Sequence, residues 1–155
     1  MAKKSAVSII LASASPRRKK LLTEAGYKFR VVSSDIDESV FTADGIDSCE
    51  YARQLALAKA RNAAQKFPDS LIIGADTVVD FDGEIIGKPL DEKHAEQITR
   101  KLFSKPHKVI TGVAVVRLSD KTEIVESDIT VVYPKKLTEK QIANHIKGKS
   151  WQGKA

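Results

Sequence analysis

Short apolar runs and longer amphipathic stretches alternate along this chain, and that alternation predicts strands followed by helices. The apolar runs predict strands at residues 7–12, 27–32, 71–73, 77–81, 84–86, 108–117 and 123–132. The amphipathic stretches predict helices at residues 17–25, 48–66 and 138–146, and a further helix that begins at Asp91. We therefore predict an α/β fold in which helices flank a mixed, twisted sheet.

Turn and capping residues mark several boundaries of these elements. Gly26 follows the first predicted helix as a C-terminal stop, and we expect Leu21 and Leu22 of that helix to point inward. Asp82-Gly83 predicts a tight hairpin turn, and Thr138-Glu139-Lys140-Gln141 is a capping box that opens the last helix. We also expect the two long β-rich runs after residue 107 to form an antiparallel pair.

The composition is that of an ordinary soluble domain. The chain has 155 residues, of which 42% are hydrophobic and 30% are charged, so one domain with a buried core is expected. Cys49 is the single cysteine, which excludes an internal disulfide, and its polar surroundings give it no catalytic role. No apolar run approaches 20 residues and no leader pattern is present, so we predict a cytoplasmic protein without a membrane partner.

The net charge of +6 is concentrated near the N-terminus. Residues 1–34 hold eight Lys or Arg against one acid and carry +7, so the remaining residues sum to −1. This distribution suits a site for a small polyanion. Nine aromatic residues without a basic and aromatic stripe make nucleic acid a less favoured partner. A basic protein that binds nucleic acid or regulates cell division without catalysis stays open as an alternative.

The segment Ser13-Ala14-Ser15-Pro16-Arg17-Arg18 lies between the first predicted strand and the first predicted helix. Its hydroxyls, its guanidinium groups and the N–H groups of the helix N-terminus could together bind a phosphate. The same residues also fit an ordinary capped helix, in which Ser15 is the N-cap and the arginines face solvent. Taken alone, the segment leaves the two interpretations equally open.

Two further segments place a charged residue beside glycine. Asp76 interrupts the otherwise apolar run 71–79 and follows Gly74, which allows another backbone to approach closely. Such an aspartate is either a functional carboxylate or a turn residue that bonds its own backbone, and we favour the first. Lys88 lies between Gly87 and Pro89, where a solvated loop lysine is the alternative to a functional cation.

Seven segments together carry a family resemblance. In chain order they are Ser13-Ala14-Ser15-Pro16-Arg17-Arg18, Asp37-Glu38, Ala58-Lys59-Ala60, Gly74-Ala75-Asp76-Thr77, Gly87-Lys88-Pro89, His107-Lys108-Val109-Ile110-Thr111-Gly112 and Gly153-Lys154-Ala155. Their order and spacing resemble those of the Maf (septum formation) family of nucleoside triphosphate pyrophosphatases. The resemblance implies a single Maf-like domain over residues 1–155, with a nucleotide-binding cleft of the Maf/ITPase type.

The resemblance further implies hydrolysis of a nucleoside triphosphate between its α and β phosphates, with Mg²⁺ or Mn²⁺ as cofactor. It implies catalytic roles for Asp76, Lys59 and Lys88, and metal ligation by Asp76 and Glu38. It implies substrate contacts from Ser13, Ser15, Arg17, Arg18 and Thr77. Asp76 would activate the attacking water, and members of the family are often homodimers.

Several of these roles have an ordinary alternative. Lys59 could face solvent, and Glu38 lies in an acidic run that could be a solvated loop, where the carboxylate that would meet a metal stays open. The three histidines, His94, His107 and His145, show no metal-ligand spacing. Trp151 is interpreted as a packing residue, with stacking on a base as the alternative.

Within the family, the arginine after Ser15-Pro16, the threonine after Asp76 and the Gly-Lys-Ala ending resemble members that act on dTTP and UTP. Members that act on 7-methyl-GTP tend to have a bulky aromatic residue after the proline and a glutamine after the aspartate. We therefore expect pyrimidine triphosphates or their modified forms as substrates, with 7-methyl-GTP as the alternative. Such an enzyme would keep non-standard nucleotides out of nucleic acids, and the family is also linked to restraint of cell division.

The chain departs from the family pattern at its end. The family continues after Lys-Ala with a Gly-Ile-Gln segment, another strand pair and a closing helix, whereas this sequence stops at Ala155. We therefore expect the family's C-terminal portion to be missing, including a glutamine near the substrate.

Overall fold

The computed structural model describes residues 6–153; Lys3, Lys4, Lys154 and Ala155, which belong to the segments discussed above, lie outside that range. The strands are β1 (Ile9–Leu11), β2 (Arg30–Val31), β3 (Leu71–Phe81), β4 (Glu84–Ile86), β5 (His107–Arg117) and β6 (Thr122–Val132). The helices are α1 (Pro16–Glu24), α2 (Ser48–Lys66), α3 (Glu92–Leu102) and α4 (Glu139–Lys147), with a short 3-10 turn at Glu38–Val40. None of the helices in the described range is long and apolar enough to cross a membrane.

The strands of the described residues form one mixed sheet, which confirms the predicted fold class. The strand order is β2-β1-β3-β5-β6, and β4 pairs with the far end of β3. β1 runs parallel to β2 and β3, whereas the other neighbours are antiparallel. The strand predicted at residues 27–32 is shorter than expected, because ladder pairing with β1 covers only Arg30–Val31.

β3 is one continuous strand of 11 residues, although the sequence predicted two strands separated around Asp76. β5 pairs with it from Ile72 to Asp80 without interruption. Asp76 does not break the strand because its buried carboxylate forms an ion pair with Lys59 of α2. The partner offsets the cost of removing the charge from water.

α2 lies so close to the sheet that two strand positions require glycine. A Cβ at Gly74 would lie 2.3 Å from the Ala56 carbonyl oxygen, and a Cβ at Gly112 would lie 2.3 Å from the Ala52 carbonyl oxygen. Gly112 is the β5 residue opposite Asp76, so both glycines and the aspartate share the face that α2 covers. The close packing therefore places α2 side chains beside Asp76.

The prediction for the first helix is wrong for Leu21. This side chain is 66% exposed, and no residue of α1 is fully buried. Arg18 and Leu22, one helical turn apart, are half-buried instead. Hydrogen bonds from Arg18 to β3 fix the inward face of α1, and Leu21 lies roughly 100° around the helix from Leu22.

The turn and capping predictions are confirmed. Asp82 and Gly83 both have positive φ, 54° and 84°, as a tight hairpin of this length requires. Gly26 follows α1 with φ 84°. Thr138 and Gln141 form the capping box at the start of α4. These local signals were therefore sufficient to place the turns.

One edge of β3 has two different neighbours with an interval between them. β1 pairs with residues 71–73 and β4 pairs with residues 79–81. Within the described residues, positions 74–78 have no strand partner on this edge, and we call this stretch the edge gap. The loop after β1 and the loop after β4 flank it. The fold therefore opens the sheet at the place where the predicted functional segments meet.

Candidate functional site

A cleft at the edge gap brings the separate sequence segments together. It encloses about 680 Å³, which lies within the roughly 300–1,000 Å³ common for small-molecule sites. Its polar walls are formed by Ser15, Arg17, Arg18, Glu38, Lys59, Asp76, Thr77 and Lys88. Apolar side chains complete the walls, among them Leu55, Val78, Val79, Ile85, Ile86 and Val109. Of the predicted site residues, only Ser13 is absent from these walls, and it bonds to Arg18.

Lys59 joins the two predicted metal-binding carboxylates. Its Nζ lies 2.6 Å from Asp76 Oδ1 and 2.9 Å from Glu38 Oε1. Glu38 begins the 3-10 turn, and its neighbour Asp37 is the N-cap of that turn, where it accepts a hydrogen bond from the Ser39 N–H. Glu38 is therefore the carboxylate of this acidic run that faces the cleft.

Lys59, Asp76 and Glu38 form a triad, and its surroundings shift the pKa values of Lys59 and Asp76. Burial raises the pKa of Asp76, and the Lys59 ammonium offsets only part of the rise. Burial alone would lower the pKa of Lys59, but its hydrogen bonds to Asp76 and Glu38 outweigh that effect and raise it. Lys59 therefore stays protonated at neutral pH. Asp76 is a better proton acceptor than an exposed aspartate.

The segment from Ser13 to Arg18 forms both the helix cap and a group of hydrogen-bond donors. Ser15 is the N-cap of α1 and Pro16 is its first residue. Ser13 Oγ accepts hydrogen bonds from the Ser15 N–H at 3.3 Å and from Arg18 Nη1 at 3.0 Å. Because both acceptor positions of this oxygen are used, the Ser13 hydroxyl hydrogen is left to donate. The capped helix and the anion site are thus compatible in one geometry.

Arg18 links α1 to the edge gap. Its Nη1 donates to the Ala75 carbonyl at 2.9 Å, and its Nη2 donates to Thr77 Oγ1 at 3.1 Å. The guanidinium occupies the place where a longer β1 would supply an N–H to Ala75. Burial lowers the pKa of Arg18, which still remains charged at neutral pH. Arg17, in contrast, is exposed on the cleft wall.

Two residues of the site were not singled out from the sequence. Thr111 lies opposite Thr77 on β5, and their Oγ1 atoms are 3.0 Å apart. Tyr51 lines the cleft on the same face of α2 as Lys59, eight residues away. Burial, followed by the charges of Asp76 and Glu38, raises the pKa of Tyr51, so its hydroxyl stays protonated. Helical spacing from Lys59 was the available signal for Tyr51.

The cysteine, the histidines and the tryptophan, to which we assigned no catalytic or metal-binding role, lie outside the cleft walls. Cys49 and the three histidines do not line it. Trp151 donates its indole N–H to the Ile146 carbonyl at 2.9 Å and lines a separate apolar pocket beside α3.

The described residues 6–153 contain no cluster of three or more His, Cys, Asp or Glu side chains suited to a metal. Asp76 and Glu38 nevertheless fit a divalent cation, because their oxygens converge on one positive group, the Lys59 ammonium. Mg²⁺ sites in phosphate-binding enzymes commonly use one or two carboxylates and take further ligands from the substrate.

Comparisons of the sequence relate the chain to known enzymes. The family model described as "Maf-like protein" matches residues 8–155. The dTTP/UTP pyrophosphatase of Citrifermentans bemidjiense is 45% identical over 139 residues, which cover 90% of this chain and 71% of the relative. The dTTP/UTP pyrophosphatase of Ruminiclostridium cellulolyticum is 40% identical over 148 residues, which cover 96% of this chain and 76% of the relative.

Comparisons of the structure identify proteins with a similar fold. The Staphylococcus aureus Ham1 protein matches with a TM-score of 0.55 at 16% identity, over 81% of this chain and 71% of that protein. A HAM1 protein from Coxiella burnetii matches with a TM-score of 0.52 at 14% identity, over 83% and 73% of the two chains. At such identities the likeness concerns the fold alone. The family model, by contrast, covers nearly the whole sequence, and the chain therefore belongs to the Maf family.

Proposed function

We propose that this chain hydrolyses nucleoside triphosphates, dTTP and UTP in particular, to the monophosphate and pyrophosphate. The relatives that share 40–45% of its residues are named dTTP/UTP pyrophosphatases. The observation that carries the proposal is the buried Asp76 carboxylate held by Lys59 in a cleft with arginine and lysine on its walls. A triphosphate needs such cations, and its hydrolysis needs a proton acceptor.

Arg17, Lys88 and Ser15 bind phosphate oxygens in this proposal, because their side chains line the cleft. Ser13, which does not line the cleft, contributes by accepting a hydrogen bond that positions the Arg18 guanidinium. Arg18 has part of its donor capacity engaged by Ser13, Ala75 and Thr77, so it orders the cleft wall and offers its remaining N–H groups to the substrate. Thr77 contributes through its side chain on that wall.

Asp76 acts as the general base. It takes a proton from the water whose oxygen attacks the α-phosphorus, while the bond from that phosphorus to the oxygen bridging to the β-phosphorus breaks. Pyrophosphate leaves with the bridging oxygen, and the monophosphate keeps the oxygen from water. Lys59 holds the Asp76 carboxylate in place, and Lys88 offsets the negative charge that develops on the leaving group.

Asp76 and Glu38 would hold Mg²⁺ or Mn²⁺ together with phosphate oxygens of the substrate. When bound, the ion supplies charge neutralisation and Lewis acidity at the phosphate chain. The convergence of the two carboxylates on Lys59 Nζ supports this assignment. A cytoplasmic location and a homodimer stay predictions from the sequence and the family resemblance.

Asp76→Asn tests the proposal. Pyrophosphate release from dTTP, UTP, CTP, 7-methyl-GTP and dITP is measured with Mg²⁺ or Mn²⁺. We expect release by the wild type, strongest with dTTP or UTP, and a loss of roughly 10²- to 10⁴-fold in the variant, since a positioned base contributes about that factor. Asp69→Asn is the matched control, because Asp69 is exposed in the turn before β3 and does not line the cleft.

Equal turnover by Asp76→Asn and the wild type would remove Asp76 from the mechanism. Release confined to 7-methyl-GTP would replace the pyrimidine assignment with the alternative substrate. Absence of release from all five nucleotides, together with DNA binding that weakens steeply with salt and ignores the Asp76 substitution, would favour the non-catalytic basic protein.

A further inference from the structure

We propose that the main-chain N–H of Thr77, in the edge gap, is a hydrogen-bond donor to the oligophosphate of the substrate. This inference rests on the proposed function and assigns a binding group that is independent of side-chain identity. It follows from the register of β3, from the place where its neighbouring strands stop, and from the charges around the gap.

The direction of this N–H follows from the pairing on either side of the gap. In a strand, the backbone groups of successive residues point to opposite edges. The Leu71 N–H donates to Ser8, and the Ile73 carbonyl accepts from Ala12, so odd-numbered residues of β3 point toward the β1 edge. The Ala75 carbonyl, which accepts from Arg18, points the same way. Because the pairing with β5 is uninterrupted, the alternation extends to Thr77, and the Thr77 N–H also points toward the β1 edge.

The Thr77 N–H is left without a protein partner among the described residues. β1 pairs only as far as Ile73, and β4 pairs only from Val79 onward. No side chain or loop in the described range accepts a hydrogen bond from it. A main-chain donor in a structured strand is usually satisfied, and one that lies at a cleft is available to a ligand.

The charges around the edge gap favour an anion as that ligand. Arg17 and Arg18 lie on the β1 side, and Lys88 follows β4 on the other side. The Ala75 carbonyl, which would repel a phosphate, is covered by the Arg18 guanidinium. Thr77 itself lines the cleft. A phosphate oxygen at this point would therefore meet cations on both sides and an N–H donor between them.

Amide hydrogen exchange measured by NMR tests the inference, with inorganic tripolyphosphate as the probe. In the free protein we expect the Thr77 N–H to exchange much faster than the N–H groups of Asp76 and Val78, which face β5. Saturating tripolyphosphate should slow exchange at Thr77 by 10-fold or more. Unchanged exchange at Thr77, while other amides of the cleft show that the probe is bound, overturns the inference. Slowing only with dTTP would also overturn it, because the contact would then require the nucleoside.

A backbone ester gives a second test. Replacing Thr77 by its α-hydroxy acid analogue removes the N–H and keeps the side chain, and we expect tripolyphosphate affinity to fall by about 10-fold or more. The same replacement at Ile129 is the matched control. The Ile129 N–H lies on the outer edge of β6, so it has no strand partner there among the described residues, and the carbonyl of the preceding residue faces β5. Thr77 has the same arrangement on β3. Equal affinity of the two esters overturns the inference. Failure of the unmodified chain to bind either tripolyphosphate or dTTP would instead overturn the proposed function itself.

Discussion

At the scale of single residues, the site depends on a lysine that holds two carboxylates. Lys59 Nζ lies within 3 Å of both Asp76 and Glu38, and its side chain is mostly buried. Burial raises the pKa of Asp76, and the ammonium opposes that rise by favouring the ionised carboxylate. The same contact fixes where the carboxylate points. Lys59 is therefore expected to affect both the pH dependence and the rate of the reaction.

Lys59→Met should shift the acid limb of kcat/KM to higher pH. Asp76 must be ionised to accept a proton, so activity falls as pH falls through its raised pKa. Loss of the Lys59 ammonium removes the group that lowers the pKa of Asp76, so the acid limb shifts to higher pH. We also expect turnover near pH 7 to fall by roughly 10- to 100-fold, since a charged hydrogen bond contributes about 1.5–3 kcal/mol. pH–rate profiles of wild type and variant provide the measurement.

Lys66→Met is the control for that experiment. Lys66 ends the same helix and pairs with Asp35 on the surface, so its loss should leave the profile unchanged. An acid limb at the same pH in Lys59→Met and the wild type would contradict the assignment of that limb to Asp76.

Thr111 is expected to act through Thr77 and Arg18. The hydrogen bond between the two threonine hydroxyls holds the oxygen that accepts from the Arg18 guanidinium. Thr111→Val removes this bond with little change of volume and should raise KM by about 2- to 10-fold, because a neutral hydrogen bond contributes about 0.5–1.5 kcal/mol. Thr130→Val, on the exposed part of β6, should leave KM unchanged. An unaltered KM together with a reduced melting temperature would reduce Thr111 to a packing role.

At the scale of elements, the close contact between α2 and the sheet sets the geometry of the triad. Gly74 and Gly112 allow the helix backbone to touch the strands, and Asp76 lies on the same face. A bulkier strand residue would move α2 outward and separate Lys59 from Asp76. The glycines are thus part of the site without contacting the cleft.

Gly74→Ala and Gly112→Ala should each lower the free energy of unfolding by about 1–3 kcal/mol, or prevent folding, because the new Cβ meets backbone atoms that cannot rotate away. Urea denaturation measures the change. Gly87→Ala is the control, since a Cβ there meets nothing within 4 Å and should change stability by about 0.5 kcal/mol or less. Wild-type stability in the Gly74 and Gly112 variants would show that α2 can move without cost.

At the scale of the whole molecule, the sequence predicted the element order, the mixed sheet and the grouping of the site residues. Local signals were sufficient where structure is local, as at Asp82-Gly83 and the Thr138 capping box. The sequence did not reveal the continuity of β3 through Asp76, because the compensating partner Lys59 lies on another element. It also missed the exposure of Leu21, since the inward face of α1 is chosen by a distant contact of Arg18. Tertiary partners decided each of these differences.

The parallel pairing of β1 with β3 has a consequence for the order in which the chain folds. It joins Ile9 to Leu71, 62 positions apart, whereas the paired residues of β3 and β5 are 28–44 positions apart and those of β5 and β6 are 5–25 positions apart. Contacts that close a long loop form late, so the phosphate-binding segment before α1 should dock onto an already folded α2 and antiparallel sheet. The cleft would then be absent from the transition state for folding.

A ligand of the cleft should therefore slow unfolding and leave the folding rate unchanged. Tripolyphosphate at 100 times its Kd stabilises the native state by about 2.7 kcal/mol, which corresponds to roughly 100-fold slower unfolding if the whole effect falls on that step. Stopped-flow chevrons with and without the ligand provide the measurement. Faster folding would instead mean that the β1–β3 pairing forms early. If the cleft forms late, bound nucleotide lengthens the lifetime of the folded state. Molecules without nucleotide would then unfold faster than molecules that hold it.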